Sequence, residues 1–282
     1  MVNLIDTHQH LVYPDVAGYS WTADIPPLAS QAFPLSRYIE LTASHNVIGT
    51  LFMETGVDDA DYKAEARYVA DLAKQDGSGI VGVIASCRPE DDAGFTDWLD
   101  ECDDLGVAGF RRILHVMPDD LSTTSTFRRN VQALGKRGKT FDLCMLPKQL
   151  KNGVALAAAC PDTTIVLNHC GVPDIAGGKM DLWRADMMAL AALPNVYCKL
   201  SGLLAYCAPG HATQEVIQPY FDHALAAFGA NRMVWGSDWP VVELANGLPD
   251  WLAVTQSMLG ALSDDEAAEI GSETARKIFG LH

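Results

Sequence analysis

Two histidines near the start of the chain have the type and spacing for chemistry, in the run Ile5-Asp6-Thr7-His8-Gln9-His10. The apolar residues before them predict a β-strand over Val2–Thr7, whose side chains alternate between two faces. His8 and His10 then project from the same side at the carboxyl end of that strand. Two converging imidazole nitrogens can bind a metal ion or a substrate oxygen. A His-x-His run is also common in surface loops, so it gains meaning only if other reactive side chains join it.

Side chains able to do chemistry also end other apolar segments of the chain. They are Glu54 after the second predicted strand, Arg111 and Arg112 in the fourth, His169 after the sixth, Lys199 in the seventh and Asp238 after the eighth. A single polar residue at a strand end is usually a turn former or a cap. Three histidines, two carboxylates, a lysine and two arginines at independently predicted strand ends indicate a reaction site instead.

The residue types in this set have mutually consistent chemistry. Imidazole groups and a carboxylate can hold a divalent ion that polarises a carbonyl group and lowers the pKa of a bound water. Asp238 can instead accept the proton of an attacking water molecule within hydrogen-bond reach. Arg111, Lys199 and His169 offer positive charge or donors to a developing oxyanion or a substrate carboxylate. The set is therefore suited to water attack on a polarised carbonyl group.

The two adjacent arginines cannot both enter such a site, because neighbouring residues of a strand face opposite sides. Gly109 and Arg111 share one face, and Phe110 and Arg112 share the other. If Phe110 packs outward against helices, Arg111 faces the site. We therefore predict that Arg111, and not Arg112, is the site residue.

The segments that must position these residues alternate between two patterns. Short apolar segments rich in β-forming residues predict eight strands, at Val2–Thr7, Val47–Met53, Ile80–Ala85, Val107–Ile113, Thr140–Met145, Thr163–Leu167, Asn195–Leu200 and Arg232–Gly236. Amphipathic segments between them predict helices at Leu35–Ser44, Ala60–Gln75, Phe95–Leu105, Thr126–Lys136, Pro147–Ala159, Leu182–Leu193 and Glu215–Phe228. At least two more helices follow the last strand. This alternation predicts parallel βαβ units.

Eight strands alternating with helices in 282 residues predict an α/β fold, a (β/α)8 barrel of the TIM type. No linker, low-complexity tract or short repeat divides the chain, so we predict a single domain over residues 1–282. The alternative is an open doubly wound sheet, but no G-x-G-x-x-G run follows the first strand and no Walker sequence is present. In a barrel the carboxyl ends of all strands meet on one face, which brings the reactive side chains together.

A long first βα connection, Leu11–Pro34, interrupts the alternation and is rich in aromatic residues and proline. In a barrel this loop hangs over the face where active sites form, so its aromatic residues, Trp21 among them, are predicted to cover a substrate. Trp239, beside Asp238, is predicted to form a wall of the same pocket. The alternative is that these aromatic side chains pack together as a small satellite core or in the main core.

The composition excludes several classes of partner. The chain has 36 acidic and 20 basic residues and a formal net charge of −16, which repels a nucleic-acid backbone and an anionic membrane surface. No segment reaches the about 18 uninterrupted apolar residues of a membrane span, and no signal-peptide pattern opens the chain. We therefore predict a cytoplasmic protein with a small-molecule partner, while the oligomeric state stays open. Seven cysteines without a C-x-x-C pair are predicted to be buried free thiols.

Several motifs together resemble the amidohydrolase superfamily. They are Asp6-Thr7-His8-Gln9-His10, Gly109-Phe110-Arg111, Leu167-Asn168-His169-Cys170-Gly171, Cys198-Lys199-Leu200-Ser201-Gly202-Leu203 and Gly236-Ser237-Asp238-Trp239-Pro240. More narrowly, they resemble its amidohydrolase-2 branch, which contains sugar-acid lactonases of the fuconolactonase type and sulfomuconolactone hydrolase. The likeness extends from Ile5 to the run that ends at Phe279. The combination of the first and last motifs is what makes the resemblance specific.

The resemblance implies a distorted (β/α)8 barrel that hydrolyses a lactone by adding water to its carbonyl group. It implies that His8 and His10 are metal ligands or carbonyl polarisers, that Asp238 is the base, and that His169 is the sixth-strand histidine. Two-metal members of the superfamily place a carboxylated lysine or glutamate at the end of strand four and a histidine at the end of strand five. Here arginines and the run Asp142-Leu143-Cys144-Met145 stand at those places. At most one weakly held divalent ion, zinc or manganese, bound by His8, His10 and Asp238, is therefore implied, or none.

The predicted function is hydrolysis of a small lactone, derived either from a sugar acid in carbohydrate metabolism or from the breakdown of an aromatic compound. The catalytic residues are predicted to be Asp238, His169, His8 and His10. The substrate-binding residues are predicted to be Arg111, Lys199, Glu54, Trp21 and Trp239. One alternative is a metal-dependent decarboxylase on the same barrel. Another is a catalytically idle barrel used for binding or assembly, which the clustering of ionisable residues disfavours.

Overall fold

A computed structural model describes residues 1–281, and its centre is one sheet of eight parallel strands in chain order. The strands are β1 (Leu4–Gln9), β2 (Val47–Met53), β3 (Ile80–Ser86), β4 (Gly109–Ile113), β5 (Thr140–Cys144), β6 (Ile165–Leu167), β7 (Val196–Leu200) and β8 (Met233–Trp235). The residues after β8 return to β1: the His10 N–H donates to the Trp239 carbonyl at 2.8 Å, and the Asp238 N–H donates to the His8 carbonyl at 2.9 Å. The predicted (β/α)8 barrel is therefore confirmed.

Helices follow each strand and form the outer layer. They are α1 (Leu35–Thr42), α2 (Tyr62–Ala73), α3 (Phe95–Asp104), α4 (Ser125–Lys136), α5 (Leu150–Ala159), α6 (Asp181–Ala191), α7 (Gln214–Phe228), α8 (Leu248–Gly260), α9 (Asp264–Ala268) and α10 (Thr274–Phe279). The fifth helix starts later than predicted, because Pro147–Gln149 form a separate 3-10 turn. Within residues 1–281, no helix has both the length and the apolar character needed to cross a membrane.

The barrel interior is apolar at the amino ends of the strands. Ile5, Leu51, Ile84 and other strand residues form a buried cluster there with Phe279 of α10. A second and larger apolar cluster fills the space between the strands and the helices. The cysteines are free thiols, and all but the half-buried Cys207 are buried, as predicted. Polar side chains inside the barrel therefore concentrate toward the opposite end, where the strands finish.

An extra residue in β1 changes which of its side chains face inward. Asp6 lies opposite Thr50 and Gln9 opposite Phe52, so three steps along β1 match two steps along β2. This bulge lets Ile5 join the interior apolar cluster while His8 also reaches the centre of the barrel. Strand β1 also ends at Gln9, two residues beyond the predicted end.

The long connection Leu11–Pro34 is fixed to the barrel mouth. Its two ends pair with each other, because the N–H of Val12 and the N–H of Phe33 each donate to the other residue's carbonyl. The indole N–H of Trp21 donates at 2.9 Å to the carbonyl of Thr55, two residues after the end of β2. Trp21 is 37% exposed, so it lies at the surface beside the strand ends. Contact between Trp21 and a substrate stays a prediction.

Candidate active site

Three imidazole groups surround the carboxylate of Asp238. The Nε2 atoms of His10 and His8 lie 3.6 Å and 3.7 Å from its Oδ1 atom, and Nδ1 of His169 lies 3.8 Å from its Oδ2 atom. All four side chains are buried. His8 and His10 come from the end of β1, His169 lies two residues after β6, and Asp238 lies three residues after β8. The structure thus brings together the four residues that the sequence predicts to be catalytic.

The backbone around these side chains is held in unusual conformations. His169 and Asp238 have φ values of 53° and 57°, in the left-handed region that residues other than glycine seldom adopt. Gly202 lies beside both, and a Cβ atom there would be 2.8 Å from Nδ1 of His169 and 2.9 Å from Oδ2 of Asp238. Only glycine leaves room for the two side chains to meet. Strain of this kind is typical of functional sites.

A buried carboxylate, Asp6, fixes the strand that carries the two histidines. Its Oδ1 atom accepts from the N–H groups of His8 and Ser237, at 2.9 Å and 2.8 Å, and its Oδ2 atom accepts from the Tyr38 hydroxyl at 2.6 Å. Ser237 immediately precedes Asp238 in the sequence. Asp6 therefore sets the position of the first-strand histidines relative to the eighth-strand carboxylate.

The hydrogen bond that His10 makes determines its tautomer. Its Nδ1 atom lies 2.9 Å from the Met53 carbonyl, and because a carbonyl can only accept, Nδ1 carries the proton. In the neutral ring, Nε2 then directs a lone pair toward Oδ1 of Asp238, 3.6 Å away. Two lone pairs facing each other repel. A proton donor such as water, or a cation, that contacts both atoms from one side would relieve this repulsion.

Arg111 contacts the same nitrogen of His8 that faces Asp238. Its Nη1 atom lies 3.2 Å from Nε2 of His8, and because a guanidinium only donates, this imidazole nitrogen accepts. Burial, together with the charge of Lys199, lowers the pKa of His8 well below its ordinary value, so the ring is neutral. Arg112 points elsewhere and pairs with Glu90. The structure thus places Arg111, the predicted member of the pair, in the site.

Two buried carboxyl groups near Arg111, those of Glu54 and Glu65, have different protonation states. Glu54 accepts from Arg111 through both a carboxylate oxygen and its backbone carbonyl. Burial opposes ionisation of Glu54, but Arg111 holds its pKa below the ordinary value. Glu65 on α2, to which the sequence assigned no role, accepts from the Thr55 N–H at 3.0 Å. Burial and the charge of Glu54 raise the pKa of Glu65 to about 8, so this group is protonated at neutral pH.

A buried ion pair lies inside the barrel beside these residues. Nζ of Lys199 donates to Oδ1 of Asp142 at 2.6 Å and to the Thr7 carbonyl at 2.8 Å. The side-chain amide of Asn168 donates to the same carboxylate oxygen at 2.6 Å. Lys199 and Asp142 are both completely buried. Burial lowers the pKa of Lys199, and the carboxylate of Asp142 opposes that effect.

The sequence profile of the Amidohydro_2 family, described as amidohydrolase, matches residues 5–281. The chain belongs to this amidohydrolase family. The L-fucono-1,5-lactonase of Burkholderia ambifaria is 30% identical over 280 residues, which cover 98% of this chain and 92% of that protein. The 4-sulfomuconolactone hydrolase of Rhizobium radiobacter is 24% identical over 239 residues, which cover 83% of this chain and 75% of that protein. The resemblance seen in the motifs is confirmed.

A solved structure agrees with this amidohydrolase over nearly its whole length. It is the crystal structure of an amidohydrolase from Burkholderia multivorans with bound zinc, and the two share a TM-score of 0.88 at 26% sequence identity. The match covers 99% of this chain and 100% of that one.

Three of the predicted substrate-binding residues of this amidohydrolase are placed differently from the prediction. The ammonium group of Lys199 is bound by Asp142 and Thr7, so it supports β1 and does not face an incoming ligand. Both carboxylate oxygens of Glu54 are occupied, one by Arg111 and the other by the Gly56 N–H. Trp239 is completely buried. These contacts make the three residues supports of the site, and contact between any of them and a substrate stays a prediction.

Packing explains the position of Trp239. Its ring lies between Phe33 and Tyr38, with ring centroids 5.5 Å and 5.6 Å away in edge-to-face geometry. The alternative of core packing, and not the predicted pocket wall, is the one that the structure supports.

Two further residues near the site were given no catalytic or binding role from the sequence. The ring of Tyr206 lies edge-on to His169, with the centroids 6.1 Å apart. Nδ1 of His115, which follows β4, lies 3.2 Å from the sulfur of Cys144 at the end of β5. In the sequence, Tyr206 and His115 are marked only by their position shortly after a predicted strand. That position does not distinguish a site residue from an ordinary loop residue.

The donor set of the amidohydrolase fits one divalent ion. Ligand atoms of His8, His10 and Asp238 lie within 4.8 Å of one another and are buried. Two imidazole nitrogens and one carboxylate oxygen match the ligands that zinc takes in catalytic sites. The Nδ1–H of His10 donates to a backbone carbonyl, as metal-binding imidazoles commonly do. The lone pair of His8 Nε2 is engaged by Arg111, so His8 must exchange that bond to bind an ion.

Proposed function

We propose that this amidohydrolase opens a lactone ring by adding water to the ring carbonyl, with Asp238 as the base. The observation that carries the proposal is a buried carboxylate enclosed by three imidazole groups at 3.6–3.8 Å, with a guanidinium next to one of them. The relatives named L-fucono-1,5-lactonase and 4-sulfomuconolactone hydrolase support the same reaction. They agree with the prediction made from the sequence.

The attacking water molecule bridges Nε2 of His10 and Oδ1 of Asp238 from one side. A water there donates one O–H to Nε2 of His10 and the other to Oδ1 of Asp238, which relieves the repulsion between their lone pairs. Burial favours the neutral acid, but His169, His10 and Arg111 together hold the pKa of Asp238 below its ordinary value. Asp238 is therefore ionised at neutral pH and can take the proton as the oxygen attacks.

His169 and Arg111 stabilise the negative charge that develops on the carbonyl oxygen. Ser201 Oγ lies 2.9 Å from Nδ1 of His169, and if the hydroxyl donates there, the ring carries its proton on Nε2. We assign this tautomer, which makes Nε2 a donor for the carbonyl oxygen. Arg111 adds a fixed positive charge in the same buried space. Asp238 then returns its proton to the ring oxygen, the carbon–oxygen bond breaks, and a hydroxy acid is released.

A divalent ion, when bound, would add Lewis-acid polarisation of the carbonyl group, and His8, His10 and Asp238 are the residues that would hold it. Arg111 already supplies a positive charge in contact with His8. The side chains alone therefore provide a base in Asp238, a hydrogen-bond donor for the carbonyl oxygen in His169, and a positive charge in Arg111 that offsets the developing negative charge.

A panel of sugar-acid lactones and muconolactones, assayed for acid release before and after chelation, tests the function. We expect at least one lactone to be opened with one acid group released per turnover and no carbon dioxide. Because Arg111 stays in place, we expect most of the activity to survive chelation. Release of carbon dioxide from a carboxylic acid would favour the decarboxylase alternative, and failure to open any lactone would refute the proposal.

The pH dependence of kcat/KM is expected to include an acid limb near pH 4, set by His169 and Asp238. Burial lowers the pKa of His169 to about 4, and the pKa of Asp238 is also depressed. Above these values His169 is neutral and Asp238 ionised, so neither group limits kcat/KM at neutral pH. It falls as the pH drops through about 4, because His169 gains a proton and pairs with the base. The measurement is a pH profile corrected for spontaneous lactone hydrolysis, and activity that persists undiminished well below pH 4 would contradict the roles of His169 and Asp238.

A further inference from the structure

A single peptide group connects Glu65 on α2 to Arg111 in the site. The carbonyl of Glu54 accepts from Nη2 of Arg111, and the N–H of the next residue, Thr55, donates to the Glu65 carboxyl group at 3.0 Å. Both bonds belong to the peptide unit between Glu54 and Thr55. In a trans peptide the C=O and N–H groups point in opposite directions, so Glu65 and Arg111 hold this unit from its two sides. The orientation of the carbonyl that holds Arg111 therefore depends on the bond to Glu65.

Thr55 also connects this peptide unit to the long first connection. Its hydroxyl donates to the Leu11 carbonyl at 3.1 Å, and its own carbonyl accepts from the indole N–H of Trp21 at 2.9 Å. Glu65 and Thr55 are both 3% exposed, so water does not readily replace the bond between them. Glu65 thus links the helical layer to the residues that hold Arg111.

The groups around Glu65 favour its neutral form. Within residues 1–281, the charged and titratable groups that face it are Glu54, Arg111 and the hydroxyl of Tyr19, which stays an O–H because burial raises its pKa. Glu54 already pairs with Arg111, so a second carboxylate would lie beside a like charge in a buried space. Burial and Glu54 accordingly raise the pKa of Glu65 to about 8. Its position in the first turn of α2 favours ionisation only weakly by comparison.

We propose that Glu65 is a positioning residue for the reaction: as a neutral acid it orients the peptide group that holds Arg111, and loss of its proton slows catalysis. The inference rests on the proposed lactone hydrolysis, in which Arg111 stabilises the charge that develops on the carbonyl oxygen. An ionised Glu65 lowers the positive potential that Arg111 offers to that oxygen, and it repels Glu54, which holds the guanidinium. A carboxylic acid of the helical layer thereby determines the activity in alkaline solution.

The experiment compares the wild type with Glu65→Gln and Glu65→Leu on a lactone that the wild type opens, with blanks for spontaneous hydrolysis. For the wild type we expect kcat/KM to be about 3- to 10-fold lower at about pH 9.5 than at about pH 7, mainly through kcat. The glutamine side chain accepts from the same Thr55 N–H but cannot ionise, so in Glu65→Gln the two values should agree within about 1.5-fold. Leucine accepts no hydrogen bond, so at about pH 7 kcat should be at least about tenfold lower in Glu65→Leu than in Glu65→Gln.

A second measurement does not depend on activity. In the unfolded chain Glu65 ionises at its ordinary pKa of 4.5, whereas the folded protein keeps the proton up to a pKa of about 8. The stability that this proton contributes is fully present below the lower value and is lost as the pH rises through the higher one. Between about pH 5 and 9, the Tm of the wild type should therefore fall further than that of Glu65→Gln, whose side chain does not titrate.

The matched control is Glu40→Gln, the same chemical change at an exposed position on α1. It should keep the alkaline limb and the Tm profile of the wild type. An equal alkaline limb in the wild type and Glu65→Gln, or equal kcat in the glutamine and leucine variants, would overturn the role of Glu65 while lactone hydrolysis stands. If Glu65→Leu does not fold, the alkaline limb of Glu65→Gln decides the matter.

The Tm comparison separates this inference from the proposed function. Equal Tm profiles in the wild type and Glu65→Gln would overturn the neutral state of Glu65, whether or not any lactone is opened. Absence of turnover on every lactone would overturn the proposed function and the positioning role that rests on it, even with the expected difference in Tm.

Discussion

Replacing Asp238 by asparagine is expected to lower kcat about 10²- to 10⁴-fold, the range that general acid–base catalysis contributes. The amide keeps the shape of the side chain but cannot take the proton of the attacking water or return it to the ring oxygen. Asparagine also tolerates the left-handed backbone conformation of this position, where φ is 57°. The fold should therefore survive, and the loss should appear in kcat. The measurement is steady-state kinetics on the best lactone, together with Tm.

Asp264→Asn is a suitable control for this variant, because Asp264 lies exposed at the start of α9. It makes the same chemical change and should leave both kcat and Tm close to the wild-type values. Turnover of Asp238→Asn within about threefold of the wild type, with the fold intact, would show that another group activates the water.

Replacing Asp142 by asparagine is expected to destabilise the protein by about 3–5 kcal/mol, the usual cost of removing one partner of a buried ion pair. Lys199 would remain in the barrel interior with no compensating charge, because its other acceptor is the neutral carbonyl of Thr7. The side-chain amide of Asn168 would also lose its charged acceptor. The measurement is the free energy of unfolding from urea titrations at neutral pH.

Two further variants separate a missing charge from a missing contact. Arg67→Gln removes one partner of an exposed pair with Glu101 and should cost less than about 1 kcal/mol. The double replacement Asp142→Leu with Lys199→Met removes both buried charges and should recover part of the stability that Asp142→Asn loses. A loss below about 1 kcal/mol in Asp142→Asn would mean that Lys199 finds another partner or sheds its proton.

The fold and the members of the site were predictable because they depend on local patterns. Amphipathic helices and short apolar strands alternate along the chain, and this pattern alone leads to a parallel barrel whose strands all end at one face. The four predicted catalytic residues meet there for that reason. The alternation of side chains along β4 also separated Arg111 from Arg112 correctly, because no irregularity interrupts the register of β4 with β5.

Other features of the site depend on how deep each side chain lies in the barrel and on how neighbouring strands are aligned. Local sequence patterns do not encode either property. Alternation places Lys199 inside the barrel, but only the assembled sheet brings Asp142 of β5, two strands away, within 2.6 Å of its ammonium group. The bulge in β1 has no residue signature, although it decides which side chains of β1 face inward. Trp239 follows Asp238 directly, yet its ring lies in the layer between strands and helices, where it packs against Phe33 and Tyr38.

The closure of the barrel between β1 and β8 has a consequence for how the enzyme becomes active as it folds. Thr7 bonds to Trp235, and Ser237 to Asp6, across 228 and 231 residues of chain, so these contacts are among the most distant in sequence. Such long-range contacts form slowly, because much chain entropy must be lost before they yield any stabilisation. His10 and Asp238 stand on the two segments that meet last in this picture. Helices and neighbouring strands can form without a working site, and catalytic activity reports that the ring of strands has closed.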